Sequence, residues 1–188
     1  MVQNKNNRFK KGELIKKILL TIAGISGMAA LLTIAVIAPN AMPMFKLFNI
    51  GNKKNIKIAI KKLKQQKLVE IFDKDNETLI KITEKGKERI LKYNFEEMKI
   101  KHPKKWDGLW RIIIFDIPEK YKRARDALRM KLKELGFLKL QDSVFIFPFA
   151  CKNEIDFIAE IFNIRKYINY IEAKTVEEET KIKKHFNI

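Results

Sequence analysis

An α+β chain of two successive small domains is what the sequence predicts, and three observations predict it. Apolar residues recur at helical spacing over 53–67 and then alternate in two short runs, so a helix leads into a hairpin. From residue 109 onward the patterns follow the order strand, helix, strand, strand, helix, strand. Between these halves lies a mixed stretch, 96–105, containing Pro103 and followed by Gly108. A length of 188 residues suffices for one ordinary core or two small ones, which suits the division and argues against one large enzyme domain.

Residues 1–9 are polar and basic, with little to bury, and read as a flexible start. The segment 18–38 holds 21 residues without a charge. As one helix it would reach about 30 Å, the thickness of a hydrocarbon core. Two readings follow: a membrane span at 18–38, or two short buried helices divided at Gly24 and Gly27. Thr21, Ser26, Thr33 and five alanines lower its hydrophobicity, and the lysine flanks lack a clear asymmetry, which favours burial. No secretory cleavage pattern stands out. Pro39-Asn40 and Pro43 close the segment.

Residues 53–67 contain seven lysines and no acid. Ile56, Ala59, Ile60 and Leu63 fall at i, i+3, i+4 and i+7 and must face a core, while Lys54, Lys57, Lys61 and Lys64 line another face, with Lys53 and Lys62 beside them. Solvated helix faces ordinarily mix Glu with Lys at i, i+4. An acid-free face therefore points to a polyanion. Two strands follow around a turn at 73–76, then a polar helix from Glu84 to Tyr93. Helix, hairpin, helix is the order of a winged helix-turn-helix, here spanning 10–95. Its lysines would hold phosphates of double-stranded DNA, Asn55 would meet a base edge, and the hairpin at 70–81 would be the wing.

In the second half, Leu109 to Phe115 is an apolar run stopped by Pro118, and Tyr121, Ala124, Leu128, Leu132 and Leu135 repeat at helical spacing up to Gly136 as C-cap. One or two strands within 137–149, a helix over 152–162 and a strand over 166–174 complete a ferredoxin-like (βαββαβ) domain at 106–188. Both alternating sets in its strands are apolar: Val144 and Ile146 on one side, Phe145, Phe147 and Phe149 on the other. Two helices cover one face only. The other is expected to pack on a second copy, making a homodimer, or on the N-terminal domain.

The net charge is +18, and residues 1–50, 51–100 and 101–188 each net +6, so both halves are candidates to touch a polyanion. One cysteine and two histidines exclude an intramolecular disulfide, a four-ligand Cys/His zinc site and a three-His metal site, and they suit a reducing cytosol. No cofactor is called for.

Trp110-Arg111-Ile-Ile-Ile-Phe-Asp116-Ile-Pro118-Glu119, the helix Arg123-x-Arg125-x-x-Leu128-Arg129, Leu135-Gly136-Phe137 and Leu140-Gln141-x-Ser143-Val144 together resemble the PaaX family of bacterial transcriptional repressors. The N-terminal half matches through 63–68 and through Ile82-Thr83-Glu84-Lys85-Gly86. The resemblance implies a winged helix followed by a ferredoxin-like domain similar to the small CRISPR-associated endonuclease known as Cas two, and DNA binding in either case. It implies a further domain associated with acyl-coenzyme A sensing, which this chain is expected to lack, so that effector is not carried over. Free-standing CRISPR-associated members lack a winged helix, which weighs against a pure spacer-acquisition role.

Asp116 occupies the position where the resemblance implies a metal-binding carboxylate, meeting its symmetry mate in a dimer and holding Mg if the protein is an endonuclease. The competing reading is a helix cap ahead of Pro118. Arg123, Arg125 and Arg129 lie away from the leucine stripe, either gripping phosphate or pairing with Asp126 and Glu134. Gln141 and Ser143 are expected to satisfy backbone groups at the strand bend. Cys151 reads as a small filler, Glu119 as a first-turn acid complementing the helix dipole, and Trp106 and Trp110 as packing between domains.

Overall fold

Residues 11–26, 35–36, 53–74 and 77–188 are described by the computed structural model, and the chain divides into two units, Met1–Glu96 and Glu97–Ile188. The polar start at 1–9, the breaks at Gly27, Pro39-Asn40 and Pro43, and the centre of the 73–76 turn lie outside the described residues.

The first unit comprises α1 (Lys11–Ser26), β1 (Ala35–Val36), α2 (Lys53–Gln65), β2 (Val69–Lys74), β3 (Glu77–Ile82) and α3 (Glu84–Glu96). Its antiparallel sheet has the order β1-β3-β2, with Ile71 opposite Ile80 and Val69 opposite Ile82. Leu14, Ile18, Leu19 and Ile22 of α1 share a core with Ile56, Ala59 and Leu63 of α2, Val69 and Ile80 of the hairpin, and Ile90 of α3. The charge-free run 18–38 is not one continuous helix. Helix α1 stops at Ser26, and Ala35 and Val36 pair with Ile80 and Leu79. Among the described residues, no helix is long and apolar enough to cross a membrane.

The second unit comprises β4 (Trp110–Phe115), a 3₁₀ turn (Glu119–Tyr121), α4 (Lys122–Glu134), β5 (Leu138–Gln141), β6 (Val144–Phe147), α5 (Lys152–Ile161), a 3₁₀ turn (Arg165–Tyr167), β7 (Ile168–Ala173) and α6 (Glu179–Phe186). Its sheet is antiparallel with the order β5-β6-β4-β7, so β4 is central and the two crossovers carry α4 and α5. Cross-strand partners share a face. Ile113, Phe115, Phe145 and Phe147 therefore lie together, and they are buried with Leu128 and Leu132 of α4 and Ile155 and Ile158 of α5.

The opposite face carries Trp110, Ile112 and Ile146. Its cover differs from the expectation. The C-terminal helix α6, absent from the predicted elements, lays Ile182 and Phe186 into a cluster with Trp110, Ile146, Ile112, Leu138 and Trp106. Trp110 is fully buried and its indole N–H donates to Glu179 Oε1 at 3.0 Å. Trp106 packs on Trp110 at 4.8 Å between ring centroids. Both tryptophans thus serve the second unit's own core. The stretch 97–105 is likewise packed in part, with Ile100 buried and His102 against Phe149 at 4.9 Å.

Helices α2, α4 and α5 end in the same way, and α6 repeats the pattern at Asn187, where the Ile188 N–H bonds back to Lys183 at 3.2 Å. In α2, α4 and α5 a left-handed residue follows the last turn: Lys67, Gly136 and Asn163, at φ of 57°, 90° and 52°. The next residue's N–H then bonds back five positions, Leu68 to Leu63, Phe137 to Leu132 and Ile164 to Ala159, at 2.8–3.0 Å. That is the Schellman pattern, and each of these three closing residues is apolar and buried.

Candidate nucleic-acid interface

Helix α2 follows directly from its sequence. Its apolar stripe is buried against α1, so the remaining circumference faces outward: Lys54, Asn55, Lys57, Ile58, Lys61, Lys64 and Gln65 are exposed and Lys62 is half-buried. Lys53 begins the helix, but its side chain is outside the described set. No described salt bridge involves Lys57, Lys61, Lys62 or Lys64. Four ammonium groups within about two turns, with no countercharge among the described residues, repel one another unless an anion is supplied.

The C-terminal end of the helix is held by hydrogen bonds to backbone carbonyls. Its C-terminal turn closes at Lys67, whose carbonyl accepts the Thr83 hydroxyl at 2.7 Å. The same hydroxyl accepts the Gly86 N–H at 3.0 Å, so Thr83 is the N-cap of α3. The Thr83 N–H donates to the Leu68 carbonyl at 3.1 Å. Helix α2, the base of the hairpin and α3 are thereby tied at one point, which explains the Ile82-Thr83-Glu84-Lys85-Gly86 signature.

In the second unit the sequence-selected residues separate. Asp116 is exposed at the end of β4, and its backbone N–H donates to the Tyr167 carbonyl at 3.0 Å. The capping expectation fails: the 3₁₀ turn begins after Pro118 and α4 after Tyr121, and neither start has a side-chain cap. Pro118, extended at ψ 156°, carries the chain past Asp116 before the helix begins. Glu119 is engaged by Arg125 at 2.7 Å and Lys122 at 3.7 Å, and the Arg125 guanidinium holds its carboxyl below the ordinary value.

Arg125 also donates to the Ile117 carbonyl at 3.0 Å, and Arg129 donates to the Asp142 carbonyl at 3.0 Å and to the Ser143 hydroxyl at 3.4 Å. These two arginines brace the loops beside α4. Arg123 is exposed and carries no described ion pair. Gln141 is exposed, beside a bulge between Lys139 and Gln141, and the Ser143 carbonyl accepts the Phe115 N–H at 3.1 Å. Cys151 is buried, and burial pushes its thiol up to about 12. It packs as a filler.

Two residues escaped sequence reasoning. Arg111, inside an apolar strand, is buried and donates to Asp107 Oδ1 at 2.7 Å and to the Leu109 and Pro148 carbonyls at 2.8 Å, fixing the approach to β4. The Arg111 hydrogen bonds hold the Asp107 carboxyl below its ordinary 3.8. Lys131, at 1% exposure, runs its stem through the α4 core and reaches Glu134 at 2.8 Å. A charge inside an apolar run is the only signal Arg111 leaves in sequence, and Lys131, among the other charges of α4, leaves none.

Among the described residues, no group of three His, Cys, Asp or Glu side chains is placed to hold a metal ion. Glu119, three residues after Asp116 in the sequence, is occupied by Arg125. One chain alone does not fit a Mg site there.

No curated protein matches the chain. A family model, the PaaX protein central Cas2-like domain, matches residues 103–184. That interval covers the whole βαββαβ sheet and its two crossover helices together with most of α6. Residues 103–184 are thus similar to the central Cas2-like domain of PaaX proteins.

Proposed function

We propose that the protein is a DNA-binding transcriptional regulator of the PaaX type, repressor-like, with a winged helix at 10–95 and the Cas2-like domain as its dimerisation module. The observation that carries this is the outward, acid-free lysine face of α2, the helix that immediately precedes the hairpin. The element order helix, short strand, helix, hairpin, helix and the sheet order β1-β3-β2 support a winged helix, with α2 entering the major groove and β2-β3 as wing. Lys53, Lys54, Lys57, Lys61, Lys62 and Lys64 contact phosphates; Arg123 adds a contact from the second unit, where Arg125 and Arg129 are engaged in loop bracing. A homodimer is supported by what α6 leaves open on the sheet, since Ile171 is exposed beside the half-buried Ile114 and Val144. Two copies would then read two half-sites about 34 Å apart.

The test is duplex binding as a function of salt. Lys57→Glu with Lys61→Glu removes most of the affinity and lowers the log–log salt slope by about 2, one per lost phosphate contact. Binding that survives the double reversal with an unchanged slope sinks the assignment of α2.

A second reading, a Mg-dependent endonuclease of the CRISPR-associated kind, is favoured by one observation: Asp116 is exposed and its carboxylate has no described hydrogen bond. It requires a second chain's Asp116 to complete a ligand set. Metal-dependent cleavage of DNA or RNA that disappears in Asp116→Ala would establish it over the regulator reading.

A further inference from the structure

At the middle of the lysine face of α2 stands one large apolar side chain, Ile58, 44% exposed. Its neighbours on the helix surface are set by the 3.6-residue period: Lys54 and Asn55 at i−4 and i−3, Lys61 and Lys62 at i+3 and i+4. Three ammonium groups and an amide therefore surround it. The buried stripe of Ile56, Ala59 and Leu63 lies on the opposite side of the helix, so Ile58 adds nothing to the core of its own unit. A single surface isoleucine is ordinary in itself. One enclosed by cations on a helix with no acid is placed where the anions those cations attract would leave an apolar contact between them.

Duplex DNA presents that arrangement. Phosphates line both rims of the major groove, and the 5-methyl group of thymine is the one apolar feature on its floor. A helix lying in the groove spends its flanking lysines on the rims, and the residue at the centre of its exposed arc faces the base edges. Ile58 occupies that centre, and Asn55, one turn earlier on the same arc, has the amide geometry that pairs with adenine N6 and N7. We propose that Ile58 is the specificity-determining residue of α2, reading a thymine 5-methyl group in the major groove, so that the protein prefers sites with A·T pairs at that position. This inference rests on the DNA-binding reading of α2 and adds to it the kind of base read.

The experiment uses the full chain and a random-sequence duplex pool, from which bound duplexes are selected and sequenced. In a selected duplex each thymine is then replaced singly by deoxyuridine, which removes the methyl group and nothing else. At one position the replacement is expected to weaken binding about fourfold, the transfer value of one buried methyl group. Ile58→Ala is expected to bind thymine and deoxyuridine duplexes equally at unchanged melting temperature, because the site is exposed, and Ile58→Val to keep part of the discrimination. If wild-type protein binds both duplexes equally while Lys57→Glu with Lys61→Glu abolishes binding, the inference is overturned and the DNA-binding reading stands. If the lysine reversals leave binding intact, both fall together.

Discussion

The carbonyl oxygen of Leu68 lies 2.1 Å from where a Cβ on residue 86 would stand, so Gly86 is the only residue type that lets α3 start against the end of α2. The methyl of Ile82, Cγ2, closes the other side at 2.8 Å. Both obstacles are fixed, one being backbone and the other a branched side chain in the hairpin.

Gly86→Ala is therefore expected to destabilise the first unit by about 1–3 kcal/mol, the range of an overpacked core. Thr83→Ala should lose about 1 kcal/mol by removing the α3 cap, and Thr83→Ser should retain it. Denaturant titration by circular dichroism measures both. An unchanged midpoint in Gly86→Ala would show that Leu68 and Gly86 are not in contact.

Acid should loosen the approach to β4. The Asp107 carboxyl titrates below its ordinary 3.8 because Arg111 donates to it. A carboxyl depressed in the folded state contributes stability above its unfolded value and loses that contribution as pH falls through the folded one. Relative to wild type, Asp107→Asn is expected to show a constant deficit in melting temperature at neutral pH and a shrinking one below pH 3.8. A deficit independent of pH down to acid unfolding would mean that Asp107 and Arg111 do not form the pair.

Native Cys151 is expected to resist alkylation at pH 8. Burial raises the thiol to about 12 and denies the reagent access, so labelling should proceed only through opening and should accelerate with denaturant. Rapid stoichiometric labelling of folded protein would contradict this placement.

Helix α6 is expected to be an integral part of the second unit. Ile182→Asp puts a charge beside Trp110 and Ile146 and should cost several kcal/mol, with tryptophan emission shifted to the red. Emission and stability equal to wild type would remove α6 from the sheet.

The legible parts of this chain are those whose reasons are local. Ile56, Ala59, Ile60 and Leu63 announce α2 by spacing alone, and Gly136 announces the end of α4. Strand β1 was invisible because two residues in a charge-free run leave no period of their own, and β3, distant in sequence, decides that they are a strand. Helix α6 was invisible because Ile182 and Phe186 are its only two large apolar residues inward, among lysines. The arginines of α4 show the same division. Their common face was readable, whereas the Ile117 and Asp142 carbonyls that engage Arg125 and Arg129 come from loops that only the folded chain brings near. Asp116 followed suit, since a cap depends on where the next helix starts and Pro118 delays it.

The Schellman endings of α2, α4 and α5 set limits on how the chain tolerates changes in length. In each, the residue that bonds back to its helix is also the apolar residue that opens the next segment, and for Leu68 and Phe137 that segment is a strand. Strand side chains alternate with a period of two, so one inserted residue between helix and strand would turn every core position of β2 or β5 toward solvent. Helix and strand are thus joined at fixed phase. Insertions are expected to be tolerated at exposed positions of 99–105, where no strand has begun, and to be rejected at 66–68 and 135–137.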